Sequence, residues 1–325
     1  MKPGKKQFYS VLVKASVLFL TLASGCAKPE PTTPPEELHP ASSTPAPTPT
    51  AESPTSTPTP EPSPTQPAII KNIEYGSSAK EQILDLYLPR QAKGSRPVVL
   101  MLHEGNGSKE QFVIWGNMFS QEGYAVVSSN YRGWPQNGYP LDVEDAFCAL
   151  AWIHSHAAEY NFDTGNVFVL GHSSGGTLAA MLGVVDAPSQ YRGTCLHELP
   201  KANWVQGVIT FTGIFDYASA AQASGGLKSY AEALLGGTLE EKPETWADAS
   251  AITWIDGGEP PFLVLHGGAD KNIPPEQSVN FAQALENAGV HVELVIVPDA
   301  DHYKITRDTE SIETTLAFLN GLLRH

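Results

Sequence analysis

Strand-length apolar runs alternate with helix-length amphipathic runs from residue 68 to the end of this 325-residue chain, and no other feature restricts the fold so much. Ile69–Tyr75 and Ile83–Leu88 alternate like half-buried strands, joined by a polar turn around Gly76 to Lys80. Pro97–Leu102 is continuously apolar, the pattern of a strand covered on both faces. A helix is expected over 109–121 and a strand over Tyr124–Ser129. Leu141 to Ala158 then places Val143, Phe147, Leu150, Ala151 and Ile153 on one helical side. Val167–Leu170 reads as another buried strand, Gly175–Val185 as a helix rich in small residues, and Val205–Thr212 and Pro261–Leu265 as strands. Pro275–Ala288, Val292–Val297 and Ile312–Leu323 follow as helix, strand and helix. Two opening strands and then regular alternation specify an α/β fold, with a mostly parallel central sheet covered by helices on both faces. Only 216–259, glycine-rich and less periodic, interrupts the series, and it is the natural place for a small cap insertion.

Charge separates this body, 68–325, from what precedes it. The chain has 20 Lys+Arg against 35 Asp+Glu, a formal charge of −15. Residues 1–26 hold Lys2, Lys5, Lys6 and Lys14 and no acid, whereas 27–67 hold Lys28 against Glu30, Glu36, Glu37, Glu52 and Glu61. These two contributions cancel, so the whole excess falls on the body. A surface that acidic lacks the electrostatic footprint for nucleic acid and is repelled by anionic lipid head groups. The body is also long enough to bury one large core.

The first segment reads as an address. Lysines precede an apolar stretch from Ala15 to Ala23, about half the length needed to cross a bilayer, which is the form of a signal-peptide core. Leu22-Ala23-Ser24-Gly25-Cys26 resembles the bacterial lipobox, with Ala23 where leucine is more usual; the resemblance implies that Cys26 is lipidated and becomes the mature N-terminus. Residues 27–67 contain proline, serine and threonine in abundance and no aromatic residue, a composition that cannot offset the loss of chain entropy on folding. They are expected to form a disordered, extended tether, on the order of 100 Å long. The expected location is therefore extracytoplasmic, on a bacterial membrane reached only through the N-terminal lipid.

Gly171-His172-Ser173-Ser174-Gly175 stands between the strand Val167–Leu170 and the small-residue helix. A sharp strand-to-helix turn needs glycine at both flanks, and it exposes the Ser173 hydroxyl beside a helix N-terminus. A serine nucleophile needs a base, and the base an orienting acid. Of ten histidines, His302 lies in the polar loop Asp299-Ala300-Asp301-His302 after the last strand, at the same sheet edge as Ser173. His266, directly after a buried strand, is expected to be structural. His154 and His156, two apart on a helix, point in different directions and make no metal site. The acid should also follow a strand: Asp270 in Gly267-Gly268-Ala269-Asp270 does so, with Asp216 as its competitor and Asp301 too close to His302 in sequence. The order Ser173, Asp270, His302 is that of the α/β-hydrolases. His103-Glu104-Gly105-Asn106-Gly107, after the strand Pro97–Leu102, can supply an oxyanion-binding N–H from Gly105 and also from Glu104, beside the N–H of Ser174.

The body resembles the α/β-hydrolase family, and within it the small bacterial carboxylesterases related to hormone-sensitive lipase. Tyr131-Arg132, Pro140, Asp142, Asp145, Ala149 and Trp152 match that group between the oxyanion loop and the nucleophile. The resemblance covers essentially all of 68–325 and implies hydrolysis of carboxylic esters with small to medium acyl groups, without metal or organic cofactor. The implied partner is a small-molecule or polysaccharide-linked ester. The group usually has His-Gly-Gly-Gly where this chain has His103-Glu104-Gly105-Asn106, so a carboxylate stands near the expected oxyanion. His-Glu at that place is similar to dienelactone hydrolases, but those use cysteine where this chain has Ser173. In an exported protein the two remaining cysteines, Cys148 and Cys195, are expected as a disulfide, the alternative being two separate buried thiols. The same triad would serve an acyl amidase or exopeptidase. A catalytically inactive hydrolase fold acting as a surface binding module is the rival from another class, although here all three triad positions are filled.

Overall fold

The structure is a computed structural model and describes residues 68–323, apart from 79, 91–93, 187, 200–203 and 223–225. The signal segment with Cys26 and the tether 27–67 lie outside the described residues. One eight-stranded sheet contains β1 (Ala68–Glu74), β2 (Ile83–Leu88), β3 (Arg96–Leu102), β4 (Ala125–Ser129), β5 (Phe162–His172), β6 (Gly207–Phe211), β7 (Phe262–Gly267) and β8 (Val292–Val297). Their order is β1-β2-β4-β3-β5-β6-β7-β8. β2 runs antiparallel to both neighbours, and every pairing from β4 through to β8 is parallel.

The central strands are buried on both faces because successive side chains enter two different cores. Val98, Leu100 and Leu102 point to one, Val99 and Met101 to the other. The first core is closed by α2 (Leu141–Ser155), α4 (Ser174–Val184) and α8 (Glu276–Asn287), through Phe147, Met181 and Phe281 among others. The second is closed by α1 (Val113–Gln121) and α9 (Thr309–Leu322), through Trp115, Phe119, Phe318 and Leu319. The α/β architecture expected from the alternation, a mostly parallel sheet with helices on both faces, is the one observed, with α3 (Ala157–Tyr160) a single extra turn between α2 and β5.

Some elements depart from expectation for local reasons. β1 is largely exposed rather than half-buried, with Ile69 40% and Ile70 39% accessible. It is an edge strand, and the register shifts between Ile70 and Ile73 around Asn72, which has φ 57°. The helix expected from 109 opens as a 3-10 turn, Lys109–Phe112, before α1 begins at Val113. The long helix stops at Ser155 rather than Ala158, and β5 starts at Phe162, five residues early, because the left-handed Asn161 turns the chain straight into the strand. The 216–259 insertion is helical: α5 (Tyr217–Ala220), α6 (Gly226–Leu235), α7 (Pro243–Asp248) and a 3-10 turn at Ala251–Trp254. Around them Leu227, Ala231, Leu234, Leu235 and Trp246 form a small core of their own. Helices this short leave little periodicity to read.

The registers bring the strand ends level. Leu102 pairs with Gly171, His172 with Phe211, Phe211 with Leu265 and Gly267 with Val297. The loops that follow β3, β5, β7 and β8 therefore emerge along one carboxyl edge of the sheet, where α/β folds place their sites.

Candidate active site

Ser173 forms the turn between β5 and α4 with φ 56° and ψ −119°, a conformation that non-glycine residues rarely adopt. Backbone crowding enforces the flanking glycines. A Cβ at Gly171 would meet Gly175 O at 1.9 Å, and one at Gly175 would meet Leu102 O at 2.0 Å. The turn is pinned by the Ser173 N–H, which donates to Phe211 O at 2.8 Å.

From Ser173 a hydrogen-bonded chain runs to the acid. His302 Nε2 lies 2.9 Å from Ser173 Oγ, and His302 Nδ1 lies 2.7 Å from Asp270 Oδ2. The carboxylate can only accept, so the imidazole carries its proton on Nδ1 and presents Nε2 to the hydroxyl as acceptor. Asp270 Oδ1 accepts from the N–H groups of Asn272 and Ile273. Burial works to raise the Asp270 carboxyl, but the neighbouring His266 and the hydrogen bonds from His302 and the Ile273 N–H outweigh it and hold the group well below the usual carboxylate range. Asp270 is thus a stable anion beside the imidazole. Asp216 takes no part: its side chain accepts from Ser219 N at the start of α5. Asp301 turns away, accepting from the N–H groups of Tyr303 and Lys304.

On the oxyanion side the Glu104 N–H already donates to Gln111 Oε1 at 2.8 Å. This corrects the expectation that Glu104 could supply an oxyanion donor. Gly105 lies against the residue that follows Ser173, since a Cβ there would meet Ser174 Oγ at 2.9 Å. The Ser174 N–H opens α4 and has no intrahelical acceptor. The carboxylate of Glu104 lines the pocket; burial raises its pKa, against the pull of His302 and Arg307.

Four residues near this chemistry were not assigned to it from sequence. Gln111 Nε2 donates to His172 Nδ1 at 2.8 Å, so His172 carries its proton on Nε2, which donates to the His302 carbonyl at 2.7 Å. Burial, helped by the neighbouring His302, pushes His172 down to about 3, which keeps it neutral. His266 Nε2 donates to Ile273 O and stands 3.5 Å from Asp270 Oδ2, so this structural residue also supports the acid. The Tyr230 hydroxyl pairs with Ser174 Oγ at 2.9 Å, bringing α6 of the cap against the pocket. The contacts of Gln111, His172 and Tyr230 have no local sequence signal, because each partner is distant along the chain.

The pocket above Ser173 encloses about 360 Å³. Trp134, Ile214, Leu227 and Tyr230 give it an apolar side; Glu104, Asn106, Lys271 and Asn272 give it a polar one. The loop before it is braced from below. Arg132 donates through Nε and Nη2 to Asp145, whose Oδ2 also accepts the Arg132 N–H, and the Tyr131 hydroxyl donates to His103 O. Among the described residues one set of metal-capable groups gathers, Glu104, His172 and His302. Both ring nitrogens of each histidine are already engaged within the protein, so an ion would have to displace those bonds. Cys148 on α2 and Cys195 are joined by a disulfide with a Cα–Cα distance of 5.4 Å.

Residues 84–285 match the family model described as BD-FAE. The chain belongs to the BD-FAE family. This family is of α/β-hydrolase esterase type, in accord with the resemblance to hormone-sensitive-lipase relatives. Among curated relatives of this BD-FAE chain, Esterase LipQ of Mycobacterium tuberculosis is 29% identical over 240 residues, covering 71% of this chain and 56% of the relative. A probable isoprenylcysteine alpha-carbonyl methylesterase, ICMEL1 of Arabidopsis thaliana, is 26% identical over 245 residues, covering 73% and 51%. The chain thus spans about half the length of these relatives. Among solved structures, a bifunctional GH43-CE from Bacteroides eggerthii superposes with a TM-score of 0.70 at 28% identity, covering 79% of this chain and 38% of the other. A truncated carbohydrate esterase from gut microbiota gives 0.68 at 26% identity, covering 80% and 98%.

Proposed function

We propose that this protein is a serine hydrolase of carboxylic esters with small to medium acyl groups, acting on esters carried by polysaccharides. The observation that carries the reading is the unbroken chain Ser173 Oγ, His302 Nε2, His302 Nδ1, Asp270 Oδ2 at the floor of an open pocket. Ser173 Oγ attacks the ester carbonyl while His302 Nε2 takes its proton. The carbonyl oxygen becomes an oxyanion held by the N–H groups of Gly105 and Ser174, and the imidazolium is held by the Asp270 carboxylate. Collapse expels the alcohol, which takes the proton from Nε2 and leaves an acyl group on Ser173. Water, deprotonated by the same nitrogen, then releases the acid and restores the serine. The apolar side formed by Ile214, Leu227 and Trp134 suits a modest acyl group, and the neighbour described as a carbohydrate esterase from gut microbiota supports a sugar as the alcohol.

The decisive comparison is hydrolysis of p-nitrophenyl acetate and butyrate, p-nitroanilide analogues and acetylated sugars by the wild type and by Ser173→Ala. Ester turnover should exceed anilide turnover, and the variant should lose about 10⁴-fold in kcat while staying folded. A variant that keeps a tenth of wild-type activity removes Ser173 from the role. Cys26 carries lipid and holds the body on the extracytoplasmic side of a bacterial membrane. Palmitate labelling that persists in Cys26→Ala would overturn that part alone.

A further inference from the structure

The pocket above Ser173 has a neighbour. A second open cleft of about 170 Å³ lies beside the oxyanion loop, and Gly105 and Trp134 line both. Any alcohol group too large for the first pocket, leaving it past Gly105 and Trp134, reaches the second. Its lining is polar: Lys80, Glu81, His103, Asn130 and Gln136 contribute.

Two of these side chains are built in. His103 is 4% exposed, stacks on Tyr131 at 4.3 Å and donates from Nδ1 to Glu104 O at 2.6 Å. Burial, against the pull of the Glu104 carbonyl, pushes it down to about 4, so at neutral pH its Nε2 is an acceptor. Among the described residues that nitrogen has no hydrogen-bond partner, and it is not fully buried. Asn130 Oδ1 accepts the Lys109 N–H, which fixes the amide and leaves Nδ2 as a donor. Lys80 and Glu81 add one cation and one anion, so the cleft offers donors and acceptors without net charge. A hydrocarbon chain would desolvate these groups without replacing their bonds, and an anionic ligand would face Glu81. Vicinal hydroxyl groups, each both donor and acceptor, suit them.

We propose that this cleft is a saccharide subsite that holds a neutral sugar residue next to the esterified one. The inference rests on the reading of the protein as an esterase of polysaccharide-linked esters, and it makes the substrate an oligosaccharide or longer.

The test uses the full chain, with kcat/KM measured for p-nitrophenyl acetate, for monoacetylated xylose, glucose and mannose, and for the monoacetylated tetrasaccharides of the same sugars. At least one tetrasaccharide should exceed its monosaccharide by about tenfold, the worth of one or two good hydrogen bonds. Gln136→Trp, which fills the cleft, and the double variant Lys80→Ala with Gln136→Ala should bring that ratio to about one. Both should leave p-nitrophenyl acetate turnover unchanged, and both positions are exposed, so folding should survive. Calorimetric binding of the unesterified tetrasaccharides reads the cleft without any chemistry and should be lost in Gln136→Trp. Sugar acetates cleaved with a ratio of one in the wild type, and no binding, would overturn the subsite alone. Cleavage of p-nitrophenyl acetate but of no sugar acetate would overturn the polysaccharide reading and the subsite with it. No ester cleavage at all, with tetrasaccharide binding intact, would overturn the esterase reading and support the cleft.

Discussion

His172 Nε2 donates to the main-chain carbonyl of His302 at 2.7 Å, so the residue preceding Ser173 holds the loop that carries His302. The other nitrogen of His172 is fixed by Gln111, whose amide oxygen accepts the Glu104 N–H. One glutamine side chain thereby ties the loop of Glu104 and Gly105 to the loop of His302. Gln111→Ala should leave both partners unpaired and let the two loops drift independently. Because small misplacements of reacting groups are costly, kcat should fall by about 10- to 100-fold with KM nearly unchanged. An unchanged kcat in a folded variant would show that the tie has no catalytic consequence.

The acid can be assigned by comparing two aspartates in neighbouring loops. Asp270→Asn keeps the shape of the side chain but removes the anion that accepts from His302 Nδ1, and kcat should fall by about 10⁴-fold. Asp301 accepts only backbone N–H groups at an exposed turn, and an asparagine oxygen can accept them as well. Asp301→Asn should therefore stay within about threefold of wild type. The reverse pattern in pre-steady-state acylation rates would require the triad to be redrawn.

What the sequence conveyed was the part of the molecule that depends on neighbours in the chain. Val167–Leu170 followed by Gly171-His172-Ser173-Ser174-Gly175 specifies its own strand and turn, and the ends of Ile83–Leu88 and Val292–Val297 were read to the residue. Residues whose work depends on a distant partner gave no such signal. Gln111 sits in an unremarkable polar turn, and only the fold brings its amide to His172, 61 positions away. Glu104 shows the same limit from the other side. Its backbone N–H stands in the loop expected to bind an oxyanion, but the Gln111 oxygen occupies it. The exposure of β1 was hidden because edge position depends on strand order, which alternation alone does not state.

The disulfide between Cys148 and Cys195 closes a loop of 47 residues that includes Ser173 and all of α4. Constraining such a loop in the unfolded chain stabilises the fold by about 2–4 kcal/mol. Denaturant titration with and without reductant, and of the double variant Cys148→Ser with Cys195→Ser, should show that loss. Activity per folded molecule should persist, because neither sulfur touches the pocket. Equal midpoints for oxidised and reduced protein would deny the bridge any role in stability.

Asp142, at the first turn of α2, is 8% exposed. Burial pushes its carboxyl up to about 7, against hydrogen bonds from the backbone, and the nearby Asp145 and Glu144 add to the rise. In the unfolded chain the same group titrates near 3.9. The folded state therefore binds the extra proton between those two values, and stability drawn from the neutral carboxyl is full below the lower value. It is lost as pH rises through the upper one. Two buried histidines act with the opposite sign: His172, held to about 3, and His103, held to about 4, favour the fold above their unfolded pKa near 6.5 and weaken it as acid is added. Asp142→Asn removes the first effect and leaves the second. Asparagine can still accept the Val143 N–H, so the helix start survives. The advantage of the variant over wild type should grow between pH 5 and pH 8 by on the order of 2 kcal/mol, measured by urea unfolding at both values. A difference that stays constant across that range would mean that Asp142 is already ionised in the folded protein at pH 5.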